Sequence, residues 1–256
     1  MPMKTKQQLF AQKVISVVNC DFPTPDMVEF TGELGFDALF IDCEHSHTDF
    51  RLVNELARAA RVAGMHSVLR PHSSDEGLIN RYLSCGAGGI QVPHVHSVAA
   101  ANALLAGLER WGDGDWREKI VLMMVESKEA IACLPELLKI DAIDAYYFGQ
   151  NDLAESMGFK GDRKNPKVRS IVEDAIKRVA DSGRIAGMNV QDEIDIVAHY
   201  MKLGLKWINV HQKQFMARGS KGFLQAIKAS RSELSSTSPD FSRSVTIESA
   251  NFHWMS

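Results

Sequence analysis

The sequence has few cysteines and almost no excess of charge of either sign. The four cysteines show no CxxC spacing, and most lie inside apolar segments: Cys20, Cys43, Cys85 and Cys133. We therefore expect buried, reduced thiols and a cytoplasmic protein, because disulfides persist in oxidising compartments. The net charge of −3 gives no electrostatic reason to expect a nucleic acid or an acidic membrane as a partner.

Long apolar runs are also missing. Residues 1–8 lack the apolar region of a signal peptide, and no later run is long enough to cross a bilayer. We therefore expect no membrane partner. The apolar fraction of 45% and the charged fraction of 24% are ordinary. A chain of 256 residues with this composition suits one large α/β domain that buries a substantial core.

Short apolar runs alternate with amphipathic segments along most of the chain. Residues 50–63 place Leu52, Leu56 and Ala60 on one helical face, and residues 168–182 repeat the pattern. Glycines that suit helix C-termini precede the next apolar run: Gly35, Gly64, Gly86, Gly183 and Gly204. We predict eight strands, at residues 14–18, 38–42, 67–70, 89–92, 120–126, 145–149, 185–189 and 207–210.

Eight strand–helix units in about 250 residues predict an α/β fold, a single (β/α)8 TIM barrel. The competing fold is an open doubly wound sheet, which favours a glycine-rich phosphate fingerprint after the first strand. Residues 18–22 contain no glycine, which favours the barrel. We place the barrel domain at residues 1–229 and a polar C-terminal tail or arm at residues 230–256, where apolar periodicity is poor.

Ionisable residues follow the predicted strands, at the end where a barrel carries its active site. Glu126 and Asp152 each follow an apolar strand. Two carboxylates at neighbouring strand ends can hold one divalent cation, whereas the alternative is that they cap the helices that follow. The other strand ends add further groups: Asp42, Glu44, His45, His47, Arg70, His72, His94, His96 and His211.

Five short motifs occur in order along the chain, most of them at strand ends: Ile41-Asp42-Cys43-Glu44-His45, Leu69-Arg70-Pro71, Cys85-Gly86-Ala87-Gly88, Val125-Glu126-Ser127-Lys128 and Gly149-Gln150-Asn151-Asp152-Leu153. Together they resemble the signatures of the HpcH/HpaI aldolases, which are class II, metal-dependent 2-oxo-acid aldolases of the 4-hydroxy-2-oxoheptanedioate aldolase type. The resemblance runs from about residue 14 to residue 226. It implies a carbon–carbon lyase that cleaves or forms 4-hydroxy-2-oxo acids through a pyruvate enolate, with a small 2-oxo acid and an aldehyde as partners.

The resemblance implies a metal and a substrate site. Glu126 and Asp152 would bind Mg²⁺ or Mn²⁺, with Co²⁺ as a further candidate. Arg70 would bind the carboxylate or the 2-oxygen of pyruvate and stabilise enolate charge. Asn151 would also contact the substrate.

The resemblance also implies acid–base roles. His45 would act on the 4-hydroxyl, Asp42 would orient Arg70 or His45, and Glu44 would be structural. No lysine ends a strand in a position that suggests a Schiff base, which argues against a lysine-dependent aldolase. The resemblance implies a homo-oligomer, a trimer or a hexamer.

Departures from the family pattern leave the reaction open. Met124 occupies the position of a glutamine that contacts the metal-site water, and Ser84 occupies that of an aspartate that pairs with a neighbouring subunit's histidine. Further histidines lie near the strand ends and could replace a missing function or bind the metal: His47, His72, His94 and His96. The alternatives are a metal-dependent decarboxylase of the oxaloacetate type and a non-catalytic barrel that binds a 2-oxo acid.

Overall fold

A computed structural model of the chain describes residues 3–190 and 194–236. In these residues, eight parallel strands close into a barrel in sequence order. The strands are β1 (Ile15–Asn19), β2 (Ala38–Asp42), β3 (His66–Arg70), β4 (Gly89–Val92), β5 (Ile120–Val125), β6 (Ala145–Phe148), β7 (Ile185–Asn189) and β8 (Leu205–His211). The predicted (β/α)8 barrel is confirmed, and each predicted strand agrees with an observed one to within two residues at either end.

The helices between the strands use their apolar faces to cover the barrel. In the helix after β2, Asp49 caps the N-terminus by accepting a hydrogen bond from the Leu52 amide, and Val53, Leu56 and Ala60 are buried. The helices are α1 (Lys6–Phe10), α2 (Pro25–Glu33), α3 (Phe50–Val62), α4 (Glu76–Ser84), α5 (Val98–Glu109), α6 (Lys128–Ala132), α7 (Leu134–Leu137), α8 (Gln150–Ser156), α9 (Pro166–Asp181), α10 (Val197–Lys202) and α11 (Gln212–Ser236). Two 3-10 turns precede β5 and α10, at Trp116–Glu118 and Ile194–Ile196.

The barrel interior is filled by inward-pointing side chains from alternate strand positions. They form one buried apolar cluster with a leucine of α1: Leu9, Ile15, Val17, Ala38, Phe40, Val68, Ile120, Leu122, Met124, Ala145, Tyr147, Ile185 and Trp207. Near α1, Lys4 and Lys6 form ion pairs with Asp37 and Asp144, which directly precede β2 and β6. The amino-terminal end of the barrel is thereby covered, and the polar inward-facing positions lie at the carboxyl-terminal end.

The five glycines predicted to follow helices all have positive φ angles: 94° at Gly35, 78° at Gly64, 97° at Gly86, 78° at Gly183 and 100° at Gly204. Each lies two residues after the end of a helix and one to three residues before the next strand. Because side chains disfavour this left-handed conformation, the glycines end the helices at little cost in strain.

The four cysteines are free thiols. Cys43 is buried, and the other three are partly buried. Burial raises the pKa of Cys20 and of Cys43 to about 12, so both remain protonated and weakly nucleophilic at neutral pH.

The described residues divide into two compact units, one ending at Gln214 and the other beginning at Phe215. The first contains the barrel, and the second contains the part of α11 that continues to Ser236. This helix runs through residue 230, where we predicted the tail to begin. Residues 237–256 lie outside the described residues, so the domain bounds of 1–229 and 230–256 stay a prediction. Among the described helices, none is both long and apolar enough to cross a membrane.

Candidate active site

Two adjoining cavities open at the carboxyl-terminal end of the barrel. The inner cavity has a volume of about 150 Å³, and the outer one has a volume of about 440 Å³. The predicted site residues in the wall of the inner cavity are Asp42, Arg70, Asn151 and Asp152. All four also line the outer cavity, to which His45 contributes as well. The fold therefore brings together residues that lie more than 100 positions apart in the sequence.

Arg70 is held by carboxylates on both sides. Residues Asp42 and Arg70 are paired in register on β2 and β3. The Nε and Nη2 atoms of Arg70 donate to the two carboxylate oxygens of Asp42 at 3.0 and 2.7 Å, and Nη1 lies 2.9 Å from Glu44 Oε2. Burial acts to lower the pKa of Arg70, but the hydrogen bonds and charge of Asp42 outweigh burial and raise the pKa. The guanidinium is therefore a fixed positive charge in the cavity wall.

The same contacts limit what Arg70 can offer to a ligand. A guanidinium has five N–H donors. Two are used by Asp42 and one by the Nδ1 atom of His45, which accepts from Nη2 at 2.8 Å. Nη1 forms an ion pair with Glu44, so Nη1 is the nitrogen from which Arg70 can donate to a ligand.

His45 is oriented through Asp42 and Arg70. Asp42 Oδ1 accepts hydrogen bonds from the backbone N–H groups of Glu44 and His45 at 3.0 and 3.3 Å. The His45 ring is 67% exposed and lies at the outer cavity. Because a guanidinium can only donate, Nδ1 of His45 is the acceptor, and the proton of the neutral ring lies on Nε2.

Glu126 directly follows β5 and is buried, with 3% of its side chain exposed. Its Oε1 atom accepts a hydrogen bond from the backbone N–H of His94 at 2.6 Å. No hydrogen bond to Oε2 occurs in the described ranges. Burial raises the pKa of Glu126, and the charges of Asp152 and Glu44 add to that effect. A positive charge bound beside these carboxylates would relieve their repulsion.

The alternative that Glu126 and Asp152 are helix caps is not supported. The N-cap of α6 is Ser127, whose hydroxyl accepts from the Ala130 amide. The N-cap of α8 is Gly149, which leaves Asp152 inside the first turn. Two oxygen-donor carboxylates, one buried and one at the cavity, fit the ligand preference of a hard divalent cation.

A second acidic group, Asp42 with Glu44 and His45, has ligand atoms within 4.8 Å of one another. The Arg70 guanidinium contacts all three residues. This group is therefore an ion-pair network in which Arg70 offsets one of the two carboxylate charges.

A model of the HpcH/HpaI aldolase/citrate lyase family matches residues 20–222. The chain belongs to this family. A hydroxypyruvate/pyruvate aldolase from Pseudomonas aeruginosa is 31% identical over an alignment of 211 positions, and the match covers 73% of this chain and 78% of that protein. Family membership supports an enzyme of the aldolase or lyase type.

Two solved structures share the fold of this HpcH/HpaI family member. An HpcH/HpaI aldolase from Desulfitobacterium hafniense DCB-2 has a TM-score of 0.77 and 21% identity, and the match covers 88% of this chain and 97% of that one. The citrate lyase beta subunit from M. tuberculosis, complexed with oxaloacetate and magnesium, has a TM-score of 0.59 and 16% identity over 80% of this chain and 95% of that one. At these identities the likeness concerns the fold.

The two residues that depart from the HpcH/HpaI pattern, Met124 and Ser84, each contact neighbours within the barrel domain. Met124 is buried in the apolar interior cluster of the barrel and also lines the inner cavity. Ser84 ends α4, where its hydroxyl accepts from Trp111 Nε1 at 3.0 Å and lies within hydrogen-bond distance of the Asp113 carboxylate and the Asn80 carbonyl, to one of which it donates. In this HpcH/HpaI member, Ser84 is therefore part of a local network within its own chain.

The additional histidines have different surroundings. His94 has a φ of 60°, which is uncommon outside glycine, and its Nε2 lies 2.9 Å from Glu44 Oε1. His96 Nδ1 lies 2.9 Å from Ser127 Oγ, whereas His47 and His72 are exposed. His94 thus links Glu44 to Glu126, and its strained backbone directs an N–H at the predicted metal ligand.

Sequence reasoning missed two groups in the cavity wall. Gln91 on β4 is 1% exposed and lines the inner cavity, and its Oε1 has no hydrogen-bond partner among the described residues. His211 was noted only as a strand end, yet it forms a polar group with Asn19 and Asp21. The available signal was a polar residue at an inward position of an otherwise apolar strand.

Proposed function

We propose that this protein is a divalent-metal-dependent aldolase that cleaves or forms 4-hydroxy-2-oxo acids through a pyruvate enolate. The observation that carries the proposal is that Glu126 is buried within electrostatic reach of Asp152, which lines the same cavity as Arg70. The Pseudomonas aeruginosa relative is named for hydroxypyruvate and pyruvate, which supports a 2-oxo acid as substrate. A cytoplasmic homo-oligomer, a trimer or a hexamer, is part of the proposal.

Glu126 and Asp152 would hold the cation, for which Mg²⁺ and Mn²⁺ are the first candidates and Co²⁺ a further one. When bound, a divalent cation supplies a Lewis acid that polarises the 2-oxo group of the substrate and stabilises enolate charge. The backbone N–H of His94 holds Oε1 of Glu126 and leaves Oε2 for the cation. The raised pKa of Glu126 makes proton binding compete with cation binding as the pH falls.

The residues of the chain itself would bind and orient the substrate. Nη1 of Arg70 would donate to the carboxylate or 2-oxygen, and the charge of the guanidinium would stabilise the enolate without rearrangement, because Asp42 and Glu44 already fix its position. Asn151, at the start of α8, would add a hydrogen bond from its amide. Cleavage also requires a base for the 4-hydroxyl proton, and the resemblance assigns this role to His45.

The second candidate function is metal-dependent decarboxylation of a 2-oxo acid of the oxaloacetate type. Ser84 favours it, because the hydroxyl is engaged by Trp111 and Asp113 and leaves His45 without the aspartate partner of the family pattern. Decarboxylation proceeds to the same enolate without a 4-hydroxyl proton to remove. The structure of the M. tuberculosis neighbour contains oxaloacetate and magnesium, which supports the same substrate class here.

The test is pyruvate release, in a coupled assay, from a panel of 4-hydroxy-2-oxo acids and from oxaloacetate. The assay is run with Mg²⁺, Mn²⁺ or Co²⁺ and again with EDTA, on the wild type, Glu126→Gln and the control Glu129→Gln. Glu129 carries the same functional group three residues later, with 57% of its side chain exposed.

We expect activity that requires metal, disappears in Glu126→Gln and persists in Glu129→Gln. Turnover of oxaloacetate alone would favour the decarboxylase. A wild type that binds metal and turns over no substrate of the panel would refute both enzymes and favour the non-catalytic barrel.

A further inference from the structure

A second polar group lies at the barrel mouth where β8 meets β1. His211 ends β8 and is paired in register with Asn19, which ends β1. Both side chains line the inner and the outer cavity. These two strands carry none of the residues that the family resemblance assigns to catalysis or metal binding.

The tautomer of His211 follows from its partner Asp21. The Nδ1 atom of the ring lies 2.8 Å from Asp21 Oδ1. Because an ionised carboxylate only accepts hydrogen bonds, Nδ1 carries the proton, and Nε2 of the neutral ring carries a lone pair.

The neighbour on the other side supports the same tautomer. Asn209 Nδ2 donates to Asn19 Oδ1 at 3.0 Å, which turns the Asn19 amide nitrogen towards His211 Nε2. That N···N distance is 3.5 Å, the outer limit of a hydrogen bond, so it leaves the Nε2 lone pair largely available.

Asp21 is suited to hold the ring. The carboxylate is 13% exposed and also accepts from the backbone N–H of Lys213 at 3.2 Å, with Lys213 Nζ at 3.1 Å. Burial acts to raise the pKa of Asp21, but the hydrogen bonds from His211 and Lys213 outweigh burial and lower the pKa. A carboxylate that stays ionised orients the imidazole.

His45 has the opposite arrangement. Its Nδ1 accepts from Arg70, so the free nitrogen of the neutral ring is an N–H donor. The His45 ring is 67% exposed and lines the outer cavity but not the inner one. The two rim histidines therefore present different groups to a ligand, a donor at His45 and an acceptor at His211.

We propose that His211, oriented by Asp21, is the base that removes the 4-hydroxyl proton of the substrate, an inference that rests on the proposed aldolase function. Nε2 takes the proton from the hydroxyl, and the O–H electron pair forms the aldehyde carbonyl. The electron pair of the C3–C4 bond moves into the C2–C3 bond, and the charge develops on the 2-oxygen. Return of the proton from Nε2 to C3 gives pyruvate and neutral His211, so atoms and charges balance.

The experiment compares His211→Gln with His45→Gln and with the control His199→Gln. Glutamine keeps a polar side chain but cannot take up a proton at neutral pH. His199 lies on α10, half-exposed, and pairs with Glu173. The readouts are kcat for cleavage of the best 4-hydroxy-2-oxo acid with Mn²⁺, and the Kd of oxalate with Mn²⁺, since oxalate mimics the pyruvate enolate and has no 4-hydroxyl.

We expect His211→Gln to lower kcat by about 10²–10⁴-fold with the Kd of oxalate unchanged, and His199→Gln to behave as the wild type. A wild-type kcat in His211→Gln, or a loss seen only in His45→Gln, would overturn the inference and leave the aldolase intact. A parallel loss of kcat and oxalate binding would assign His211 a structural role and overturn it as well. An inactive wild type would refute the proposed function, and this inference with it.

Discussion

Gly149 at the end of β6 is the position where a single methyl group tests the predicted metal site most directly. A Cβ atom placed there would lie 2.9 Å from Glu126 Cβ, 3.0 Å from Glu126 Oε2 and 3.3 Å from Met124 Cε. The φ angle of Gly149 is −84°, a value that alanine adopts. The effect of Gly149→Ala therefore arises from the contact with Glu126 and not from backbone strain.

The size of the effect follows from the distances. Carbon atoms in contact prefer a separation of about 3.5–4.0 Å, so Glu126 would have to move by about 0.6 Å or more. It has little freedom to do so, because the side chain is buried and Oε1 is held by the His94 amide. Overpacking of this kind costs about 1–3 kcal/mol. If the cost is relieved by displacing the carboxylate, cation affinity falls by about five- to 150-fold, since 1.4 kcal/mol is a factor of ten.

The assay is calorimetric titration of the protein with Mn²⁺, together with thermal unfolding in EDTA. The matched control is Gly112→Ala, because a Cβ at Gly112 meets no atom within 4 Å. We expect weaker Mn²⁺ binding in Gly149→Ala, a modest loss of metal-free stability, and neither change in Gly112→Ala. Wild-type Mn²⁺ affinity in Gly149→Ala would show that Glu126 is not a ligand or that its position is not restricted by β6.

Two further predictions concern a cavity residue and the covered end of the barrel. Gln91→Leu removes a buried amide oxygen that lacks a hydrogen-bond partner in the described residues. The free energy of unfolding in urea should therefore rise by about 1–2 kcal/mol, while kcat/KM should fall. A Gln91→Leu variant less stable than the wild type would contradict this prediction. At Asp37, burial acts to raise the pKa, but hydrogen bonds from Lys4, Ser16 and Gln12 outweigh burial and lower the pKa. A lowered pKa stabilises the fold above the unfolded-state pKa, and this contribution is lost as the pH falls through the folded-state pKa. The free energy of unfolding of Asp37→Asn should therefore be lower than that of the wild type at pH 7 by about 1–3 kcal/mol. The difference should shrink as the pH falls below 3.8, the ordinary pKa of an aspartate. A difference that does not depend on pH would refute the lowered pKa of Asp37.

The strands could be predicted because their signal is local. The runs at Ala38–Asp42, Gly89–Val92 and Ile185–Asn189 are short and apolar, and a glycine in the left-handed conformation precedes each of them. In a parallel barrel both faces of each strand are buried, so the apolar runs are nearly continuous and easy to recognise. The carboxyl-terminal ends of these strands then had to meet at one mouth, which is why Asp42, Arg70 and Asp152 could be grouped in advance.

The contacts of these residues could not be predicted in the same way. Nothing in the sequence indicates that Arg70 would use three of its five donors on Asp42 and His45 and form an ion pair with Glu44. The exposure of His45 and the hydrogen bond from the His94 amide to Glu126 also depend on the conformations of loops. Such details decide which nitrogen carries a proton, and therefore which group can act as an acid or a base.

The sequence by itself determined the order of strands and helices, the barrel, and the end of the barrel at which the ionisable residues gather, because apolar periodicity and helix-ending glycines act over a few neighbouring residues. The tertiary structure alone decided how the rim residues pair. Asp21 and His211 lie 190 positions apart in the sequence and meet because barrel closure places β8 beside β1. Hydrogen-bond direction is set by distances of a few tenths of an ångström between such elements, and no local pattern encodes them.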